Sequence, residues 1–237
     1  MTVPLLRWDG PGSYAVAFST RLGGVSDAPF DSLNLGRLTE DAPARVAENR
    51  SRLCIAAGAD PAVLAFNRQV HGADVRQADP RASGALGDGV WTREPGRALL
   101  VFTADCVPVA LARSNARRPA VALLHVGWRG LLAGIVEAGA AKLGGRGLHA
   151  AIGPGIGPCC YEVGQEVREP FRARFGAGVL RGRHLDLWSA TEQALRSAGA
   201  ARVARSDLCT ACNPQLFFSH RRGGARTGRQ GALAYVT

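Results

Sequence analysis

Two histidines and a cysteine stand out by their settings. His71, Cys106 and His125 each follow a short apolar run and each precede a turn: VLAFNRQV leads to His71-Gly72, ALLVFTAD to Cys106, and AVALL to His125 with Gly127 beyond it. Two imidazoles and one thiolate are a donor set that zinc accepts in a tetrahedron, and three protein ligands leave the fourth position to water or substrate. Without a metal, Cys106 beside a histidine is a candidate nucleophile. Residue types alone leave both chemistries open. A lone histidine or free cysteine is usually a satisfied core or surface residue. Three at the ends of three candidate strands carry more weight.

Arg129 adds a second kind of chemistry. Gly127 and Gly130 let the backbone approach a ligand closely, and the start of a helix presents unpaired amides to an anion. An arginine there supplies bidentate recognition of phosphate or carboxylate. The bland alternative is that Trp128 and Arg129 only pack and cap.

Several strands must converge to bring these side chains together. Residues 120–131, AVALLHVGWRGL, read as a strand buried on both faces, a tight turn and a helix. That helix carries Leu131, Leu132, Ile135, Val136 and Leu143 at helical spacing and stops at Gly144-Gly145. Strands are also expected at residues 13–19, 63–70, 98–103, 107–111, 148–152, 203–208, 216–219 and 232–236. Asp41 is placed to cap a helix with Pro43 in its first turn and Gly58 at its end; further helices are expected over 163–175 and from the Asp186 cap to Ala198. Reactive side chains at strand carboxyl ends match where ligands bind in open α/β sheets.

The totals bound the answer. A chain of 237 residues, 46% hydrophobic and 20% charged, reads as one α/β domain spanning residues 1–237. The net charge of +10 rests on arginine, since Lys142 is the one lysine; the basic residues are scattered without aromatic interleaving, so nucleic acid is not an expected partner. No apolar run reaches the roughly 18 residues of a membrane span, and the first residues lack a secretory core. A cytoplasmic location follows as the expectation, with the six cysteines as thiols or metal ligands.

Six motifs occur in order along nearly the whole chain: FSTRLGGVSDAPFDSLNLG (18–36), QVHG (69–72), TADCVPV (103–109), HVGWRG (125–130), IGPGIGPCCYEVG (152–164), and a final group of CTAC, FFSHRR and TGR. Together they resemble the laccase-domain family, also described as multicopper polyphenol oxidase-like and as peptidoglycan editing factor, whose members have been recast as purine nucleoside phosphorylases. The resemblance implies an α/β fold with mixed sheets in four α/β/β/α layers, akin to cysteine-histidine toxin deamidases. It implies zinc on His71, Cys106 and His125, with Cu²⁺ possible in vitro. The implied reaction is phosphorolysis of adenosine, inosine and methylthioadenosine to free base and a ribose-1-phosphate type product, with adenosine deamination alongside.

On this reading Cys106, Asp105 and Arg129 are the catalytic residues. Arg21, Asn34, Gln69, Arg129 and Glu162 bind substrate or phosphate, with Asp105 and Glu162 as candidates for moving protons. The partners are small molecules, purine nucleosides and phosphate, on a monomer or homodimer. Two alternatives remain. A copper-dependent polyphenol oxidase wants more than the five histidines present, and His149, His184 and His220 are unaligned with the trio. A cysteine-type amidohydrolase acting on peptidoglycan precursors rests on fold analogy. The chain departs from the family at Val126, where alanine is usual, and over residues 37–42, which receive no role. Cys159-Cys160 and Cys209-x-x-Cys212 are expected to line or support the pocket, because adjacent cysteines chelate one ion poorly.

Overall fold

The computed structural model describes residues 2–10, 12–113 and 117–237. Its strands, in chain order, are β1 (Leu5–Arg7), β2 (Tyr14–Ser19), β3 (Ala65–Phe66), β4 (Val75–Gln77), β5 (Gly89–Thr92), β6 (Leu99–Thr103), β7 (Val107–Arg113), β8 (Val121–Val126), β9 (Leu148–Ile152), β10 (Leu180–Arg181), β11 (His184–Leu185), β12 (Ala200–Arg205) and β13 (Gln230–Val236). The longer helices are α1 (Pro43–Ala57), α2 (Trp128–Leu132), α3 (Ile135–Lys142), α4 (Gln165–Phe175) and α5 (Leu187–Ser197). One sheet runs β1-β2-β13-β6-β3 and the other β12-β9-β7-β8-β5-β4; β10 and β11 form a small hairpin. Both large sheets mix parallel and antiparallel pairs.

Strand periodicity sorts the apolar side chains into layers. Leu99 and Val101 of β6 face the other sheet with Val16, Phe18 and Ala232, where they meet Val90, Ala110, Val121 and Leu123. Leu100 points the other way and packs with Leu53, Cys54 and Ala57 of α1. On the far side, Ala122 and Leu124 of β8 meet Ile135, Val136, Phe171, Leu187 and Leu195 of α3, α4 and α5. The result is the expected α/β/β/α order of layers. It explains the unbroken apolar run of β8, which is covered on both faces and buried at all six residues. Trimming a core leucine such as Leu124 costs about 2–5 kcal/mol, so the strand that carries His125 is firmly held.

Four expectations are corrected by the fold. The helix after β8 is broken in two: Gly134, with φ 89°, takes the left-handed turn that ends α2 and begins α3, although the apolar spacing continues across it. Asp41 does not cap α1. It sits one residue too early, and its carboxylate turns inward to accept from Ser26 Oγ, Asn34 Nδ2 and the Ala42 amide. Within residues 63–70 the strand is cut to Ala65 and Phe66, with Arg68 adding an isolated bridge to Leu86. Residues 216–219 form no strand; the side-chain amide of Gln230 reads Phe218 instead, accepting from its N–H and donating to its carbonyl. The short strands β1, β4 and β5 escape sequence reading because three or four residues give too little periodicity.

Candidate metal centre

The chain reaches Cys106 as it leaves one sheet for the other. Thr103 ends β6, Asp105 takes φ 93°, and Val107 opens β7 beside Val126 and His125 of β8. His71 arrives from the segment before β4, at φ 62°. A branched backbone-to-side-chain clash makes such angles costly for residues other than glycine, so something must hold them. For His71 that something is Asp88. Its Oδ2 accepts from the amides of Val70 and Gly72 at 3.1 and 2.7 Å, and its Oδ1 from the amide of His71 at 2.8 Å.

The same carboxylate also orients the second histidine. Asp88 Oδ1 lies 2.8 Å from His125 Nδ1, and Asp88 is 1% exposed against 4% for His125. Despite the opposing effect of burial, His125 and the cradling amides hold the Asp88 carboxyl below its ordinary range. An ionised acceptor there fixes the proton on Nδ1 and turns Nε2 toward Cys106. The two imidazoles cross nearly edge to face, with centroids 4.9 Å apart at 74°.

Cys106 completes the group. A nitrogen from each histidine and the Cys106 sulfur all lie within 4.8 Å of one another. Burial alone would raise the Cys106 thiol, but His125 and His71 outweigh it and bring it down to about 6. The thiolate and Asp88 in turn push His125 up, against its own burial. Gly127 keeps space beside the three: a Cβ on it would meet Cys106 Sγ at 3.1 Å and His71 Cδ2 at 3.2 Å. Two nitrogens, one thiolate, a carboxylate bonded to the far nitrogen of His125 and a side-chain-free approach all suit a metal ion with an open position.

Cationic side chains surround this centre. Arg229 is partly buried and interacts electrostatically with both Cys106 and Asp105. The Arg221 guanidinium lies 5.4 Å from the centre of the Tyr161 ring and reaches the Cys160 and Glu162 carbonyls. Burial, with Cys106 and Asp105 nearby, pushes the Tyr161 hydroxyl up despite Arg221 and Arg129, so it stays protonated. Arg129 is exposed and stacks 4.6 Å from the centre of the Trp128 ring.

The other motif residues meet partners of their own. Arg21 pairs with Asp31 at 2.9 Å, reaches the Pro214 carbonyl and lies over Phe218. Asn34 is fully buried, donating to Thr39 and Asp41 and accepting from the Gly36 and Arg229 amides. Gln69 donates to the Phe102 carbonyl and accepts from its amide. Glu162 pairs with Arg183 at 2.7 Å and is 46% exposed. Both Asp105 oxygens are engaged, by Thr210 Oγ1 at 2.7 Å and by the Arg221 amide at 2.6 Å. His149, His184 and His220 join neither of the two metal-competent clusters among the described residues.

Asp88, Arg229, Arg221 and Tyr161 are absent from the residues singled out by sequence. For Asp88 the available signal was its place in the GALGDG turn, where aspartate ordinarily serves the turn itself. Arg221, Arg229 and Tyr161 lay inside quoted motifs without a role.

A family model described as multi-copper polyphenol oxidoreductase laccase matches residues 15–237. A purine nucleoside phosphorylase of Pseudomonas aeruginosa is 39% identical over 97% of this chain and 96% of its own length. Purine nucleoside phosphorylase YfiH of Escherichia coli is 39% identical over 97% of both chains. The crystal structure of YlmD from Geobacillus stearothermophilus is similar at TM-score 0.90 and 32% identity, covering 98% of this chain and 96% of that one. With its motifs in order, its layers matched and its span covered, the chain belongs to the multi-copper polyphenol oxidoreductase laccase family.

Proposed function

We propose that this chain is a cytoplasmic purine nucleoside phosphorylase with adenosine deaminase activity at the same centre. The observation that carries the reading is an open three-ligand site set among arginines: His71, Cys106 and His125 converge where Arg129, Arg221 and Arg229 supply positive charge. Likeness to relatives named purine nucleoside phosphorylase supports the choice of substrate.

Zinc is the ion we assign to the three ligands. When bound it supplies Lewis acidity, which serves charge stabilisation in phosphorolysis and activation of water in deamination. The protein's own side chains do the rest. Arg129 draws the phosphate dianion in, with Arg221 and Arg229 adding to the local field. Tyr161, held protonated, offers a hydrogen-bond donor on the wall. Asp88 keeps the His125 proton on Nδ1 so that Nε2 remains a ligand. Asp105, engaged through both oxygens, positions Cys106 by tying its neighbour to the segments around Thr210 and Arg221. Asn34, Gln69 and Arg21 steady the surrounding loops through the contacts described above.

Adenosine incubated with and without phosphate separates the activities. Adenine and ribose-1-phosphate forming only with phosphate supports phosphorolysis, and inosine reports deamination. Phenol oxidation with no purine product would overturn the reading. One observation favours a second reading: Cys106, His125 and Asp88 form a thiol–imidazole–carboxylate series, the order of an activated cysteine nucleophile. Metal-free protein that retains full turnover and loses it on alkylation of Cys106 would select that alternative.

A further inference from the structure

The remaining cysteines outside α1 come together on a second site. Cys212 Sγ lies 3.4 Å from Cys159 Sγ and 3.3 Å from Cys160 Sγ, and all four sulfurs of Cys159, Cys160, Cys209 and Cys212 fall within 4.8 Å of one another. All four are free thiols. A tetrahedron of thiolates about 2.3 Å from a zinc ion has edges of roughly 3.8 Å, so the group already stands close to the shape one ion requires. Sulfurs packed this tightly suit a single centre better than a multi-iron cluster, whose ligands sit on different irons.

The backbone prepares the site. Cys209 Sγ accepts from the Gly157 amide at 3.2 Å and from the Cys212 amide, three residues along the CTAC turn. Hydrogen bonds of this kind favour sulfur in its thiolate form. The adjacent pair is usable because residues 158–160 form a helical turn: the amides of Cys160 and Tyr161 both donate to the Gly157 carbonyl. Successive side chains in such a turn fan about 100° apart, so neighbours reach different vertices instead of competing for one. This overcomes the objection that sequence raises against adjacent cysteines. Arg221 and Arg222 bond to the Cys160, Thr210 and Ala211 carbonyls and bring positive charge to a site whose four thiolates exceed the charge of one divalent ion.

We propose that Cys159, Cys160, Cys209 and Cys212 bind one zinc ion as a closed tetrathiolate site. With four protein ligands it leaves no position for substrate, so its task is structural. It joins the loop after β9 to the CTAC turn, the two segments that also hold Asp105: Ile156 donates to the Asp105 carbonyl, and Thr210 to its carboxylate. The second ion thereby braces the turn that presents Cys106.

The Cys106→Ala chain isolates this site, so the result stands whatever the first centre binds. Elemental analysis should give about two zinc ions per chain in the wild type and about one in Cys106→Ala. X-ray absorption on Cys106→Ala should place four sulfurs about 2.3 Å from that zinc. Cobalt substituted into the same chain should show intense thiolate-to-metal charge transfer, lost in Cys106→Ala/Cys209→Ser/Cys212→Ser. Should the triple variant fail to fold, the absorption spectrum of Cys106→Ala still decides the matter. Cys106→Ala purified without metal, a zinc shell of nitrogen and oxygen, or a disulfide mapped among these cysteines in the native protein would each overturn the proposal.

Discussion

Asp105 and Cys106 are neighbours in sequence but belong to differently built regions. Cys106 faces two histidines, one of them near the end of a fully buried strand, and a buried carboxylate orients the His125 ring and holds the backbone of His71. Asp105 is tied to Thr210, next to the loop-borne thiol cluster, where the Cys209 sulfur accepts from backbone amides. The first region offers three mixed ligand atoms and a glycine-cleared approach; the second offers four identical ones, enough to fill a tetrahedron. Ligand number and type divide the labour, with chemistry assigned to the open centre and bracing to the closed one. The contrast also explains why the open centre needs Asp88. Imidazole has two nitrogens and must be told which to present, whereas a thiolate needs no such instruction.

Cys106→Ala tests that division most severely. Purine turnover should fall at least about 1,000-fold, roughly 4 kcal/mol at 1.36 kcal/mol per factor of ten. The far-ultraviolet circular dichroism should stay that of the wild type, because the brace is intact. A folded variant with full turnover would dissolve the distinction between the regions.

Removing metal lets the two regions be compared by pH. Cys106 is lowered to about 6, so its thiolate persists above that pH and is lost tenfold per unit below it. Cys159 goes the other way: burial, with Cys212 and Cys209 beside it, raises it to about 11. At pH 7 the greater thiolate fraction of Cys106 outweighs its lower intrinsic nucleophilicity. It should react with iodoacetamide roughly 50-fold faster, read by peptide mass spectrometry after chelation. Labelling of Cys159 first, or a Cys106 profile rising only above pH 8, would contradict the assigned electrostatics.

Asp88→Asn should weaken metal binding and activity by about 10- to 100-fold, the usual cost of losing a carboxylate that orients a metal-binding histidine. Competition with a chromophoric chelator measures the first effect directly. The upper end of that range is expected because Asp88 serves both histidines.

Asp88 also marks how far the sequence could be read. The convergence of the trio was legible because each member follows an apolar run and precedes a turn, a local pattern. Asp88 lies 17 residues from His71 and 37 from His125, and no local signal separates its role from turn chemistry. The strands β6 and β8 were legible as short unbroken apolar runs, whereas their order in four layers came only from the family resemblance. The break at Gly134 was not legible, since Ile135 and Val136 continue the apolar spacing across it. Arg21, Asn34 and Gln69 each have partners within the protein, and membership of a motif does not by itself reveal such contacts. The adjacent cysteines depended on a turn whose shape is set by one carbonyl, that of Gly157.

Arg129 gives the finest test, because it separates the two reactions proposed for one centre. Its guanidinium is exposed and stacked on Trp128, whereas that of Arg21 is occupied by Asp31 and Pro214. Phosphorolysis needs an anion beside the open position, whereas the co-substrate of deamination is neutral water. Arg129→Ala should therefore raise the KM for phosphate about tenfold, near 1.4 kcal/mol, the scale of one charge-assisted hydrogen bond. Inosine formation without phosphate should change by less than about twofold, since water, the co-substrate, carries no charge for Arg129 to hold. Arg129→Lys keeps the charge but not the planar fork, so it should recover only part of the loss. Phosphate titrations at saturating adenosine measure the first effect, and parallel assays without phosphate measure the second. Equal loss of both activities would make Arg129 a packing residue and move the phosphate to Arg221 or Arg229, both already bound to backbone carbonyls.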